Sequence, residues 1–151
     1  MIIIILLFLD QLIKYLITQN MYIGEEITII KNFLNISYIT NDGAAYNILS
    51  GNTILLIILA IFVIIYIIKN KKKQEKQEKI MYEILIAGIL GNLIDRIIRG
   101  SVVDYIAFKI FNIDMAVFNL ADTYIVCSCI ILLIMEALKW KKSQSKNQEK
   151  D

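Results

Sequence analysis

The sequence contains no proline, no histidine and only two cysteines in 151 residues. Without proline, nothing in the backbone forces a kink, so long apolar blocks such as ILLIILAIFVIIYII can continue as straight helices. Without histidine, the commonest zinc ligand and the commonest general base are both missing. Any hydrolytic chemistry must therefore run on carboxylates, hydroxyls, lysine or thiol. Cys127 and Cys129 lie two apart in an apolar run, point to different faces of a helix and read as small apolar fillers. A strong excess of positive charge is also lacking: sixteen basic residues stand against fourteen acidic ones. That balance argues against a nucleic-acid partner.

What is present is hydrophobic. Apolar residues make up 58% of the chain and the mean hydropathy is +0.63, above the roughly 45–50% apolar usage of soluble domains. The composition predicts an all-α membrane protein, a bundle of four spans at about 1–17, 54–68, 80–98 and 116–138. The first run has no basic leader and no small-residue cleavage site after it, so it reads as a retained span rather than a signal peptide.

Charge placement sets the expected topology. The stretch KNKKKQEKQEK, Lys69 to Lys79, and the tail from Lys139 together hold eleven of the sixteen basic residues. By the positive-inside rule both face the cytoplasm, together with both termini. The 141–151 tail is expected to be solvated, partly disordered and anchored at anionic lipid by its lysines and Trp140. The two remaining connections then lie outside. EEITIIKNFLNISYIT followed by NDG predicts a small extracytoplasmic β-element. VVDYIAFKIF is too short to span and is expected to be a short interfacial amphipathic segment.

Topology gives depth to the polar residues inside the spans. Asn92, Asp95, Arg96 and Arg99 share one helical face near the outer end of span three. Asn119 and Asp122 share a face at the outer end of span four, and Asp104 lies between the two. Span one adds Asp10 and Lys14, one turn apart. The outer loop adds NDGAAYN, whose Asn41 and Gly43 suit a tight turn or a close backbone approach. Each group also has a bland explanation: an ion pair for Asp10 and Lys14, a structural clamp for Arg96, interhelical hydrogen bonds for Asn92 and Asn119, an exposed loop acid for Asp104, a helix-start acid for Asp122. Those explanations require five or six separate polar expenses at one depth, whereas a shared site explains them together.

Two neighbouring carboxylates cannot both ionise easily, so one holds a proton while the other acts as base. That is the logic of an aspartic peptidase, and it needs neither metal nor histidine. Spacing alone leaves Asp95 and Asp104 as competitors for the place beside Asp122. Asp95 lies on a face where a cation can neutralise it, and Asp104, next to a loop, is expected to reach water more easily.

The ordered set DQLIK, NDGAA, GNLIDR, VVDY and FNLAD, running from Asp10 to Asp122, resembles lipoprotein signal peptidase, also called signal peptidase II. The resemblance implies a membrane aspartic endopeptidase of the bacterial inner membrane, active at its outer face. Such an enzyme cuts prolipoproteins just before a diacylglyceryl-modified cysteine. It implies Asp104 and Asp122 as the catalytic pair, with Asp10, Asn41, Gly43, Asn92, Asp95, Arg96 and Asn119 binding substrate or holding the pair. No metal or other cofactor is implied; membrane lipid and globomycin-type inhibitors are the further partners, and a monomer is the expected state. Tyr46 and Tyr105 stand where that family usually has phenylalanine, and both keep the ring. The rival from another class is a small four-span proton-coupled transporter built on Asp10. It would place its carboxylate near the midplane and have short loops, whereas this chain gathers its acids at one interface and gives about 35 residues to one outer loop.

Overall fold

The computed structural model describes residues 1–44, 48–71, 75–111 and 113–148. Tyr46, part of the lysine run and the last residues of the tail lie outside the described residues. The elements follow in the order α1 (Ile2–Asn20), β1 (Glu26–Ile30), β2 (Leu34–Asn41), α2 (Thr53–Lys71), α3 (Lys76–Arg99), β3 (Val102–Ile110), β4 (Ile113–Asp114) and α4 (Leu120–Gln148).

The helices are built inside out. In α1 the buried residues are Asp10 and Lys14, while Ile4, Phe8 and Leu16 are exposed. Ile54, Ile58 and Phe62 of α2 and Leu133 and Ile134 of α4 are exposed in the same way. Such a surface suits lipid as solvent, and the polar groups it displaces must find partners inside.

Three helices are long and apolar enough to cross a membrane among the described residues: Ile2–Asn20, Thr53–Asn70 and Leu120–Ser145. The helix expected as span three does form, as α3, and its 24 residues would extend about 36 Å at 1.5 Å per residue. It is excluded by composition rather than length, since it carries the GNLIDRIIR polar face. α3 packs against α1, α2 and α4 and so forms the centre of the bundle. It opens with a capping box between Glu75 and Glu78 and stops at Gly100, whose φ of 76° is left-handed.

Close packing at the centre depends on two glycines of α3. A Cβ on Gly88 would stand 2.5 Å from the Ala121 carbonyl oxygen, and one on Gly91 would stand 2.5 Å from Asp10 Oδ2. Any side chain there would push α4 or α1 away.

The two connections expected on the outer side come together in one sheet. β1 and β2 form a hairpin within the expected β-element, turning through Asn32 at φ 61°, a conformation asparagine tolerates. VVDYIAFKI, read from sequence only as a short interfacial amphipathic segment, is extended. It is strand β3, paired antiparallel with β2 in a sheet of order β1-β2-β3-β4. Its β-branched and aromatic residues favour an extended chain, and Val102 to Tyr105 are all buried, as in a strand covered on both faces. Phe33, Phe108 and Phe118 extend the contact, with ring centroids 5.2 and 5.7 Å apart.

Both ends of α4 also depart from the expected span. Residues just before it are extended, because Phe118 bridges to Ile106 with hydrogen bonds of 2.7 and 3.0 Å, so the helix starts at Leu120 rather than near 116. At the other end it continues to Gln148 through much of the lysine-rich tail, which was expected to be partly disordered. Lys139 joins that end to the start of α3 through Glu75 at 3.1 Å and Glu78 at 2.9 Å.

Candidate active site

The first turn of α4 is held by acceptors from three places. Asn119 caps it: its Oδ1 accepts the Asp122 amide at 2.9 Å, and Asp122 Oδ2 accepts the Asn119 amide at 3.2 Å, a reciprocal cap. The Ala121 amide donates to Asp10 Oδ1 of α1 at 3.0 Å, and the Leu120 amide donates to the Tyr105 hydroxyl of β3 at 3.1 Å. Three of the amides that a helix start leaves free are thereby satisfied. Asp122 is fixed in position as a result.

β3 carries Asp104 to the same place. The bridge between Ile106 and Phe118 lays the chain before α4 alongside β3. Asn119 Nδ2 then donates to Asp104 Oδ1 at 2.6 Å and to Asn92 Oδ1 at 3.2 Å. Asn41, at the end of β2, donates to Asp104 Oδ2 at 3.0 Å. Asn92 of α3 donates to Asp122 Oδ1 at 2.7 Å. Three carboxamides, from β2, from α3 and from the residue before α4, thus hold the two carboxylates, and Asn119 touches both.

Asp104 is 2% exposed and Asp122 is half-buried. Strand pairing buries what reads in sequence as a loop residue, although Asp104, unlike Asp95, still lines a cavity. Burial, and next the charge of Asp122, push the Asp104 carboxyl up to about 6, against the opposing pull of its bonds to Asn41 and Asn119.

Asp95 is placed differently. It is fully buried, ion-paired with Lys14 at 2.9 Å and with Arg99, and accepts the Val103 amide at 3.3 Å. Its neutralising cations come from α1 and from the next turn of α3. Among the described residues Arg96 clamps no acid through its hydrogen bonds; it donates to the Gly43 carbonyl at 2.7 Å and to the Asn92 carbonyl at 3.5 Å. Gly43 in turn donates its amide to Asn41 Oδ1 at 3.0 Å. The turn seen in sequence as NDG is therefore the piece that presents Asn41 to Asp104.

Asp104 and Asp122 both line a cavity of about 700 Å³ between α2, α3, α4 and β3. Asn41, Asn92, Arg96 and Thr123 are its other polar walls, and Leu56, Ala60, Ile89, Ile125 and Val126 make much of the rest apolar. Asp10 lies behind this wall, against Gly91. All nine residues singled out from sequence thus fall in one connected region, in which only some face the cavity.

Three contributors were not singled out. Lys14 had been noted only as an ion-pair partner of Asp10, although a lysine inside an apolar run is itself a signal. Gln11 bonds Asp10 at 3.1 Å and Asp95 at 3.3 Å, and nothing in its spacing distinguished it. The Tyr105 hydroxyl, which differs from phenylalanine by one oxygen, accepts the Leu120 amide.

A family model described as signal peptidase (SPase) II matches residues 2–138. A lipoprotein signal peptidase of Staphylococcus epidermidis (strain ATCC 12228 / FDA PCI 1200) is 45% identical over 145 residues, covering 92% of this chain and 90% of the relative. A lipoprotein signal peptidase of Staphylococcus aureus is 37% identical over 143 residues, covering 93% and 86%. Among solved structures, a bacterial membrane enzyme obtained by the in meso method at 2.3 Å superposes with a TM-score of 0.84 at 37% identity, covering 91% of this chain and 85% of that one. A second, at 1.9 Å, gives a TM-score of 0.81 at 36% identity, covering 89% and 88%.

Proposed function

The chain belongs to the signal peptidase II family, and we propose that it cleaves the signal peptide from diacylglyceryl-modified prolipoproteins with Asp104, Asp122 and a water. The observation that carries this reading is the pair itself: two carboxylates in the wall of one largely apolar cavity, both bonded to Asn119.

In the proposed reaction Asp104, held near 6, carries the proton and Asp122 is the base. Asp122 takes a proton from the attacking water, whose oxygen adds to the scissile carbonyl carbon, while Asp104 hydrogen-bonds the carbonyl oxygen. When the tetrahedral intermediate collapses, the C–N bond breaks and the leaving nitrogen takes a proton from the pair. Asn41, Asn92 and Asn119 keep the carboxylate oxygens in place through both steps.

The apolar wall at Leu56, Ala60, Ile125 and Val126 suits the acyl chains and the signal helix, which supports a cut just before the lipid-modified cysteine. α3 is the fourth span, crossing with Asn92 and Asp95 turned into the bundle. The lysine runs and both termini are cytoplasmic, and the sheet and the aspartates lie at the outer face of the inner membrane. The protein works as a monomer, without a metal, and cyclic peptides of the globomycin type occupy the same cavity.

The test is cleavage of a diacylglyceryl-modified precursor by the purified protein in proteoliposomes, with and without globomycin. The reading predicts a product whose N-terminus is the modified cysteine, no cleavage of the unmodified precursor, and insensitivity to chelators. Failure to cleave, combined with proton-coupled uptake in the same vesicles, would favour the transporter.

A further inference from the structure

Lys14 is fully buried in α1, and the proposed reaction does not use it. Its ammonium has three donors and meets three acceptors: Asp95 Oδ2 at 2.9 Å, Asp10 Oδ2 at 3.0 Å and Asn92 Oδ1 at 3.0 Å. Each acceptor makes a second contact that leads to the aspartate pair. Asp10 takes the amide of Ala121, the residue before Asp122. Asp95 takes the amide of Val103, the residue before Asp104. Asn92, its oxygen occupied by the ammonium, turns its nitrogen to Asp122.

The last contact fixes a choice. A carboxamide can be seated in two orientations, and the flipped one would set the Asn92 NH2 against an ammonium and its oxygen against a carboxylate. The cation, together with the Asn119 carboxamide that donates to the same Asn92 oxygen at 3.2 Å, therefore keeps a donor aimed at Asp122. Stabilisation is a poor explanation for the cluster, because buried ion pairs are often no more stable than apolar side chains of equal volume. The fold nevertheless makes room for it: Gly91 leaves Asp10 the space a Cβ would fill, and Gln11 bonds Asp10, Asp95 and the Gly91 carbonyl.

We propose that Lys14 is a positioning residue for the reaction: by gathering Asp10, Asp95 and Asn92 on one ammonium, it sets the separation and orientation of Asp104 and Asp122. The proposal rests on the aspartate-pair reading above. Lys14 touches neither substrate nor reacting atoms; it acts through the two backbone amides and through Asn92.

The experiment compares Lys14→Met with Lys14→Met/Asp10→Asn in cleavage of the diacylglyceryl-modified precursor, measuring kcat and KM separately and checking folding by size exclusion and thermal melting. The single variant leaves two buried carboxylates facing one arginine and is prone to misfold. The double variant restores the charge balance and keeps an oxygen for the Ala121 amide, while lacking the ammonium and the carboxylate charge it neutralised. The expected result is a folded double variant whose kcat is lower by on the order of 10- to 100-fold, as small displacements of reacting groups produce, with KM within about twofold of wild type. Wild-type kcat in the double variant would overturn the proposal, since Lys14 would then serve only to neutralise Asp10. A matched loss in KM with kcat intact would overturn it too, by making Lys14 a substrate-binding element. Asp104→Asn and Asp122→Asn are measured alongside: activity in either one sinks the aspartate-pair reading, whereas two inactive aspartate variants beside a fully active double variant sink this proposal alone.

Discussion

Asn119 donates to Asp104 at 2.6 Å while its other amide hydrogen bonds Asn92 and its oxygen accepts the Asp122 amide. One fully buried carboxamide therefore caps α4 and joins both acids. Asn119→Ala should cost about 1–3 kcal/mol of stability through the lost cap and the acceptor left bare. It should also lower kcat by on the order of 100-fold. Thermal melting and steady-state cleavage measure the two effects, and a stability loss without a rate loss would confine Asn119 to a structural role.

The pH dependence follows from Asp104. Its carboxyl is raised from 3.8 to about 6, so the folded protein holds a proton that the unfolded chain releases in that window. Stability contributed through this group therefore declines as pH rises from about 4 to about 6. With Asp104 as the protonated partner, kcat/KM should fall above about pH 6, and the corresponding limb of kcat should lie higher because bound substrate removes more water from the carboxyl. Profiles of the two constants against pH test this; an acidic limb in place of the alkaline one would reverse the roles of the two aspartates.

Asp95→Asn separates the competing acid from the pair. Asp95 is bonded to Lys14, Arg99 and the Val103 amide, and asparagine retains one of its acceptor oxygens. The variant should lose about 3 kcal/mol of stability through the broken buried pairs, yet keep single-turnover cleavage within about tenfold of wild type. Complete loss of turnover with normal binding would place Asp95 in the pair instead of Asp104.

Tyr105→Phe removes one oxygen and leaves the Leu120 amide without its acceptor. A loss of about 1 kcal/mol is expected, with cleavage largely retained. A melting temperature equal to wild type would mean that the hydroxyl contributes nothing to the start of α4.

Gly91→Ala tests the close approach of α1 and α3. The new Cβ would meet Asp10 Oδ2 at 2.5 Å, so Asp10 or α1 must shift, at a cost of about 1–3 kcal/mol. Wild-type stability would show that the helices separate freely.

Much of the helical framework was legible because lipid-facing helices need little more than unbroken hydrophobicity, which the isoleucine runs of α1, α2 and α4 supply. The polar cluster was legible for the same reason, since Asp10, Asn92, Asp95, Asn119 and Asp122 are conspicuous in apolar surroundings. The pairing of β3 was not legible because its residues fit two environments. VVDYIAFKI has the composition of an interfacial segment, and only its pairing with β2, far away in sequence, makes it a strand. The burial of Asp104 was hidden with it. The extended start before α4 was missed similarly, since Phe118 reads as helical until Ile106 is seen opposite. The partners of Lys14 come from α1 and α3, a convergence that no local pattern announces.

The most direct measurement is cleavage of a diacylglyceryl-modified precursor by Asp104→Asn and Asp122→Asn, each purified, shown to be folded by thermal melting, and assayed in proteoliposomes. Loss of cleavage in both, with precursor binding retained, is the result predicted for two carboxylates acting on one water. Wild-type turnover in either variant would contradict it.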